Sequence, residues 1–105
     1  MIKQMNTNLS LDQLRTYETQ FKALADSKRL ALLNLLSVNG EMCVCDLTEK
    51  MDIPQSKLSY HLKIMTDANF LIKETRGTWS YYQINRKHVD SILSEQLCCI
   101  LKPSK

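Results

Sequence analysis

Apolar residues recur at helical spacing through most of this chain, alternate with polar ones for about a dozen residues, and then return to helical spacing. Leu11, Leu14, Tyr17, Phe21 and Leu24 follow one another at three- and four-residue steps, which puts them on one helix face. Ser10 ahead of them, with Gln13 three residues on, has the form of a capping box, each side chain satisfying an orphan N–H at a helix start. A second helix is predicted from about Asp26, a good N-cap, with Leu30, Leu33 and Leu36 inward. Asn39-Gly40 ends it, because glycine accepts the left-handed conformation in which helices often stop. A short third helix covers roughly Cys43 to Met51. Asp52-Ile53-Pro54-Gln55 then reads as a tight turn into a fourth, since proline suits a first helical turn.

On the fourth helix Leu58, Leu62 and Met65 share one side, and Ser56, Tyr60, Lys63 and Asp67 the other, flanked by Lys57 and Ser59. After Asn69 the period changes. The segments 71–76 and 79–84 are rich in β-branched and aromatic residues around a turn at Gly77, a β-hairpin signal. A last amphipathic helix is predicted from about Arg86 to Leu101, with Val89, Ile92, Leu93, Leu97 and Ile100 inward and Pro103 ending it. The pattern specifies a mainly α fold with a β-hairpin wing, a winged helix-turn-helix of order α-α-α-α-β-β-α. Residues 1–10 are read as a flexible tail, 11–102 as the single domain and 103–105 as a tail.

In such a fold the second helix of the helix-turn-helix lies in the major groove, where base edges are distinguishable. Gln55, Ser56, Ser59 and Tyr60 are therefore candidates for hydrogen bonds to bases or phosphates, and Lys57 and Lys63 for phosphate charge. Arg76 at the wing tip is a candidate for the backbone or minor groove. His61 falls nearer Leu58 and Met65 than the polar face, so it reads as a partly buried, hydrogen-bonded histidine rather than a DNA contact. His88 reads as a surface residue, and Tyr81 and Tyr82 as wing packing. One small module makes few phosphate contacts. The first and last helices carry more apolar surface than a small core absorbs, which points to a homodimer reading a pseudo-palindrome of double-stranded DNA.

Composition agrees with this class. At 105 residues, 44% hydrophobic and 24% charged, the chain suits one ordinary globular domain. No apolar run reaches the length of a membrane span, and the polar amino terminus lacks a signal-peptide block, so the chain is expected to be cytoplasmic. The net charge of +3 is uneven. Residues 1–52 carry 6 basic and 7 acidic side chains, residues 53–105 carry 8 and 4. A basic second half favours a polyanion. The four cysteines, Cys43-x-Cys45 and the adjacent Cys98-Cys99, match neither a zinc ribbon nor a C-x-x-C motif. In a reducing compartment they are free thiols. Only two histidines are present and no nucleophile–base–acid set is evident, so catalysis is not expected.

Three segments carry a resemblance to a known family: 21–30 (FKALADSKRL), 42–47 (MCVCDL) and 55–63 (QSKLSYHLK), extended by the wing residues 73–77 and 79–82. Together they resemble the ArsR/SmtB family of metal- and metalloid-responsive repressors over about residues 17–101. The resemblance implies a dimeric winged-helix repressor that leaves its operator when an ion binds. The C-V-C-D-L segment resembles the arsenite-sensing branch and implies As(III) or Sb(III) as inducer on Cys43 and Cys45, soft thiolates selecting soft ions. Three-cysteine arsenite repressors have their third cysteine where this chain has Thr48. Cys98 and Cys99 are then candidates for a further ligand, for a second dithiol site, or for simple packing as small hydrophobes.

Other branches fit less well. The zinc-sensing positions of the last helix hold Arg86, His88, Cys99 and Lys102, of which one matches, and a cadmium/lead sensor draws cysteines from an amino-terminal extension that has none here. A thiol redox switch, or a Cd-, Pb- or Zn-responsive repressor of the same fold, is the alternative. Residues i and i+2 on an ideal helix point about 200° apart. Ion binding to Cys43 and Cys45 is thus expected to unwind the start of the third helix and displace the reading helix beside it.

Overall fold

The computed structural model describes residues 10–93. Its elements run α1 (Leu11–Leu24), α2 (Ser27–Asn39), β1 (Met42–Cys43), α3 (Val44–Met51), α4 (Gln55–Asp67), β2 (Leu71–Arg76), β3 (Trp79–Ile84) and α5 (Arg86–Ile92). Local chemistry accounts for most of the boundaries. The Ser10 hydroxyl accepts from the Gln13 amide at 3.1 Å while the Gln13 side chain accepts from the Ser10 amide at 2.8 Å, completing the capping box. Asp26 caps α2 by accepting from the amides of Lys28 and Arg29. Gly40 ends α2 at φ 78°, ψ −144°, a conformation open to glycine and costly for other residues. The helix-turn-helix corner is made by Asp52 in the left-handed region, which Asp tolerates better than most residues.

The sheet has the order β1-β3-β2, antiparallel throughout. β2 and β3 form the predicted wing around Gly77. β1 is an addition to the predicted order. Met42 pairs with Tyr82 and Cys43 with Tyr81, so Cys43 is extended at φ −84°, ψ 163° and α3 begins one residue later than predicted. A two-residue strand is too short to show alternation.

Leu32, Leu33, Leu36, Leu47, Leu58, Leu62, Met65 and Phe70 form the fully buried centre, joined by Tyr82 and Val89. Packing of Leu58, Leu62 and Met65 aims the opposite face of α4 outward. The α1 stripe behaves differently. Only its carboxyl-terminal end is buried, through Gln20, Ala23 and Leu24. Leu11, Tyr17 and Phe21 are 62%, 40% and 49% exposed, an apolar face left uncovered within one chain.

Two expectations at α5 are corrected. The helix stops at Ile92 with Leu93 extended, rather than running unbroken to Leu101. The Ser91 hydroxyl donates to the His88 carbonyl at 2.7 Å, a local bond that competes with helix continuation. Leu97, Cys98, Cys99 and Ile100 lie outside the described residues. His88 is half-buried rather than on the surface: its Nε2 meets the Gln20 side chain and its ring stands edge-on to Phe70, 4.8 Å between centroids. A polar partner on α1 and an aromatic one beyond α4 make that burial possible.

Candidate nucleic-acid interface and thiol cluster

Gln55, Ser56, Lys57, Ser59, Tyr60 and Lys63 are all exposed on α4, where the polar side of the helix was predicted. Pro54 offers no side-chain cap, so the first-turn amides of α4 point to solvent without a side-chain acceptor, an arrangement that favours phosphate. Lys28 lies with Ser56, Lys57 and Tyr60 around one shallow depression between the starts of α2 and α4. The sequence pattern missed Lys28, because its position beside Lys57 is tertiary. Lys63 is held by Asp67 at 3.2 Å on the surface of α4. Arg76 is more committed than predicted. Its guanidinium donates to Glu41 at 2.8 Å and Glu74 at 2.9 Å and lies 4.5 Å from the centre of the Tyr81 ring. The Arg76 guanidinium holds the Glu74 carboxyl below its ordinary value, and the hydrogen bonds to Glu74 and Glu41 hold the guanidinium above its own.

His61 fixes α4 from behind. It is buried, as predicted, and its Nδ1 accepts from Arg29 Nη1 at 3.0 Å, since a guanidinium can only donate. Arg29 also donates from Nε to the Ala23 carbonyl at 2.7 Å. One partly buried guanidinium therefore ties the end of α1 and the start of α2 to the reading helix. Burial lowers the His61 pKa; the cations Arg29, Lys28 and Lys57 lower it further and Asp26 opposes them. The imidazole is neutral in the fold.

At the start of α3 the ligand atoms of Cys43, Cys45 and Asp46 all lie within 4.8 Å of one another. Cys43 is buried, Cys45 exposed, and neither is in a disulfide. This overturns the expected divergence of the two thiols. The i, i+2 argument requires both residues on a helix, but Cys43 belongs to β1 and caps α3 from outside it. No unwinding is needed to bring the sulfurs together. Thr48, in the position of the missing third cysteine, donates its hydroxyl to the Val44 carbonyl at 2.9 Å. The hydrogen bond with Cys43, together with burial and the nearby Cys43 and Asp46, raises the Cys45 thiol pKa. Ligation of Cys45 as the thiolate therefore releases its proton. Cys45 also lines a cleft of about 370 Å³ between α3, α4 and the wing, with Gln55, Ser59, Lys73, Ser80 and Tyr82. No grouping other than this one among the described residues brings three metal-ligating side chains together.

A short helix, a tight corner, an outward-facing polar helix and a paired wing define a winged helix-turn-helix domain. Residues 26–73 match the family model for bacterial regulatory proteins of the arsR family. An arsenical resistance operon repressor of Bacillus subtilis (strain 168) is 60% identical over 89 residues, 85% of either chain. Among solved structures, the AntR antimony-specific transcriptional repressor is 28% identical over 92% of this chain and 87% of its own, with TM-score 0.72. The homodimeric winged helix-turn-helix domain of Mb0332 from Mycobacterium bovis shares the fold at 24% identity, covering 84% of this chain and 81% of that one, with TM-score 0.73. The chain belongs to the ArsR family of bacterial regulatory proteins. No helix of the described residues is long and apolar enough to cross a membrane.

Proposed function

We propose that this protein is a cytoplasmic, homodimeric repressor of a metalloid-resistance operon, released from its operator when As(III) or Sb(III) binds Cys43 and Cys45. The observation that carries the ion is the convergence of the two sulfurs at the junction of β1 and α3. Soft thiolates select a thiophilic ion over the hard cations that oxygen ligands hold. Similarity to the arsenical and antimony repressors supports the same choice. Gln55, Ser56, Ser59 and Tyr60 read bases or phosphates, Lys57 and Lys63 meet phosphates, and Arg76 contacts the backbone once its carboxylate partners yield. The exposed apolar face of α1, with the last helix, forms the twofold interface. The two reading helices then meet half-sites about one turn, or a multiple, apart. No catalytic step is assigned.

The route from ion to DNA runs through shared backbone. Cys43 is hydrogen-bonded into the wing sheet opposite Tyr81, whereas Cys45 is in the first turn of α3. An ion drawing both sulfurs onto itself fixes the angle between wing and helix-turn-helix, and linkage requires DNA to lower ion affinity by the same factor.

Operator binding followed by fluorescence anisotropy, titrated with arsenite under a non-thiol reductant, tests this. Wild type should release, and Cys43→Ser/Cys45→Ser should stay bound. Retention of the response in that variant and its loss in Cys98→Ser/Cys99→Ser would move the site to Cys98 and Cys99. Release by diamide without metalloid would favour the redox switch.

A further inference from the structure

As(III) takes three ligands, and the described chain offers two thiols in one place. The remaining candidates nearby are poor. Asp46 supplies a hard carboxylate to a soft ion, and the Thr48 hydroxyl is spent on the Val44 carbonyl at 2.9 Å. The open side of the pair is known, because Cys43 is buried and Cys45 is the exposed member that lines the cleft between α3, α4 and the wing. That cleft, about 370 Å³, is lined by the polar residues Gln55, Ser59 and Ser80 and by Trp79 and Tyr82, and it has one cationic side chain, Lys73. Lys73 makes no ion pair among the described residues, unlike Lys22, Lys63 and Arg76. It pairs across the hairpin with Tyr82, so its backbone is fixed at the cleft wall.

We propose that the third thiolate on the ion comes from a small anionic thiol, an amino-acid- or peptide-type thiol bearing a carboxylate, seated in this cleft with its carboxylate on Lys73. This rests on the As(III) reading above and names what completes it. The exchange balances without redox change. Arsenous acid, As(OH)₃, loses three As–O bonds and gains As–S bonds to Cys43, Cys45 and the small thiol. The three thiol protons leave with the three hydroxides as water. If the ion arrives already bound to three small thiols, two of them leave carrying the protons of Cys43 and Cys45. The single cation and the polar side chains of Gln55, Ser59 and Ser80 suit an anionic thiol over a cationic one. Gln55 and Ser59 belong both to this wall and to the DNA-reading set, so an occupied cleft places a negative group where the phosphates approach.

The test uses the full chain, bound to operator and kept reduced with a phosphine. Arsenite is titrated alone, with N-acetylcysteine, and with cysteamine, a thiol of opposite charge. Native mass spectrometry of the same samples reads the adduct. The expected results are a lower arsenite midpoint with N-acetylcysteine, about fivefold below that with cysteamine, as one exposed ion pair allows, and a mass of one arsenic plus one N-acetylcysteine per protomer. Lys73→Gln should erase the difference between the two thiols while leaving the response to arsenite. Fluorescence of Trp79, the one tryptophan of the chain, which also lines the cleft, should change with N-acetylcysteine and arsenite together and with neither alone. Equal midpoints in all three media without a thiol-bearing mass would overturn the proposal and leave As(III) sensing intact. Loss of the phosphine-only response in Cys98→Ser/Cys99→Ser would overturn it too, by assigning the third thiolate to the chain itself. No release in any medium would instead remove the As(III) reading beneath it.

Discussion

Replacing Arg29 by methionine keeps most of the aliphatic volume and deletes the guanidinium that joins three helices. Its side chain is 11% exposed, so its hydrogen bonds are only weakly shared with water. Two close contacts are lost, Nε to the Ala23 carbonyl at 2.7 Å and Nη1 to His61 Nδ1 at 3.0 Å. The Asp26 contact, at 3.9 Å, adds little. A hydrogen bond involving a charged group contributes roughly 1.5–3 kcal/mol, and the acceptors left behind stay buried. Relief from burying a charge offsets part of this, giving a net loss of about 3 kcal/mol. For a domain of this size that is about 12–24 °C in Tm, readable by circular dichroism, with the free energy from urea unfolding. Operator affinity should fall as well, since His61 loses its anchor on the inner side of α4. A cycle with His61→Phe should show coupling of about 1 kcal/mol or more between the two sites. A loss within about 0.5 kcal/mol, the range of an ordinary surface change, would refute the assignment of Arg29 as the joint.

Acid should weaken the same corner. His61 has its pKa lowered by burial, so between its folded value and about 6.5 the unfolded chain binds the extra proton. Stability is full above about pH 6.5 and declines as pH falls below it; urea midpoints measured across that range should slope in wild type and flatten in His61→Phe. Asp26 acts in the same direction further down: burial acts to raise its pKa, the amides of Arg29 and Lys28 more than offset this, and its contribution is lost below about pH 4. Gly40→Ala should cost about 1–3 kcal/mol in urea unfolding with no steric clash to blame, because φ is +78° and the space around a Cβ is open. Lys57→Ala should weaken operator binding evenly across sequences and reduce the slope of log K against log salt by about 1; a change in base preference at constant slope would show that Lys57 reads sequence.

The helices were legible where short-range chemistry decides them. The capping box at Ser10, the Asp26 cap and Gly40 each act within a few residues, and the inward positions of α4 follow from Leu58, Leu62 and Met65 alone. What the pattern could not carry were partners distant in sequence. Arg29 and His61 are 32 positions apart, Arg76 and Glu41 are 35, and Gln20 and His88 are 68. The α1 stripe was correctly seen as apolar, but periodicity does not say whether a face meets its own chain or another. Lys28 and Lys73 gain their meaning from the depressions that they border, which exist only once α2, α4 and the wing are assembled.

The thiol pair shows most directly how a one-residue shift changes chemistry. With Cys43 inside the helix, a ligand ion would have to do work against α3 before it could be held by both sulfurs. With Cys43 paired to Tyr81 in β1, the strand-to-helix bend turns its side chain back toward Cys45, and the pair is arranged before any ion arrives. Affinity then need not be spent on unfolding a turn, and the coupling to DNA must come from somewhere else. Two features remain to supply it: the rigid link that an ion makes between wing and α3, and whatever occupies the cleft shared by Cys45, Gln55 and Ser59. These separate in experiment. A rigid link acts with any ion that binds both sulfurs, whereas cleft occupancy depends on the third ligand and on Lys73.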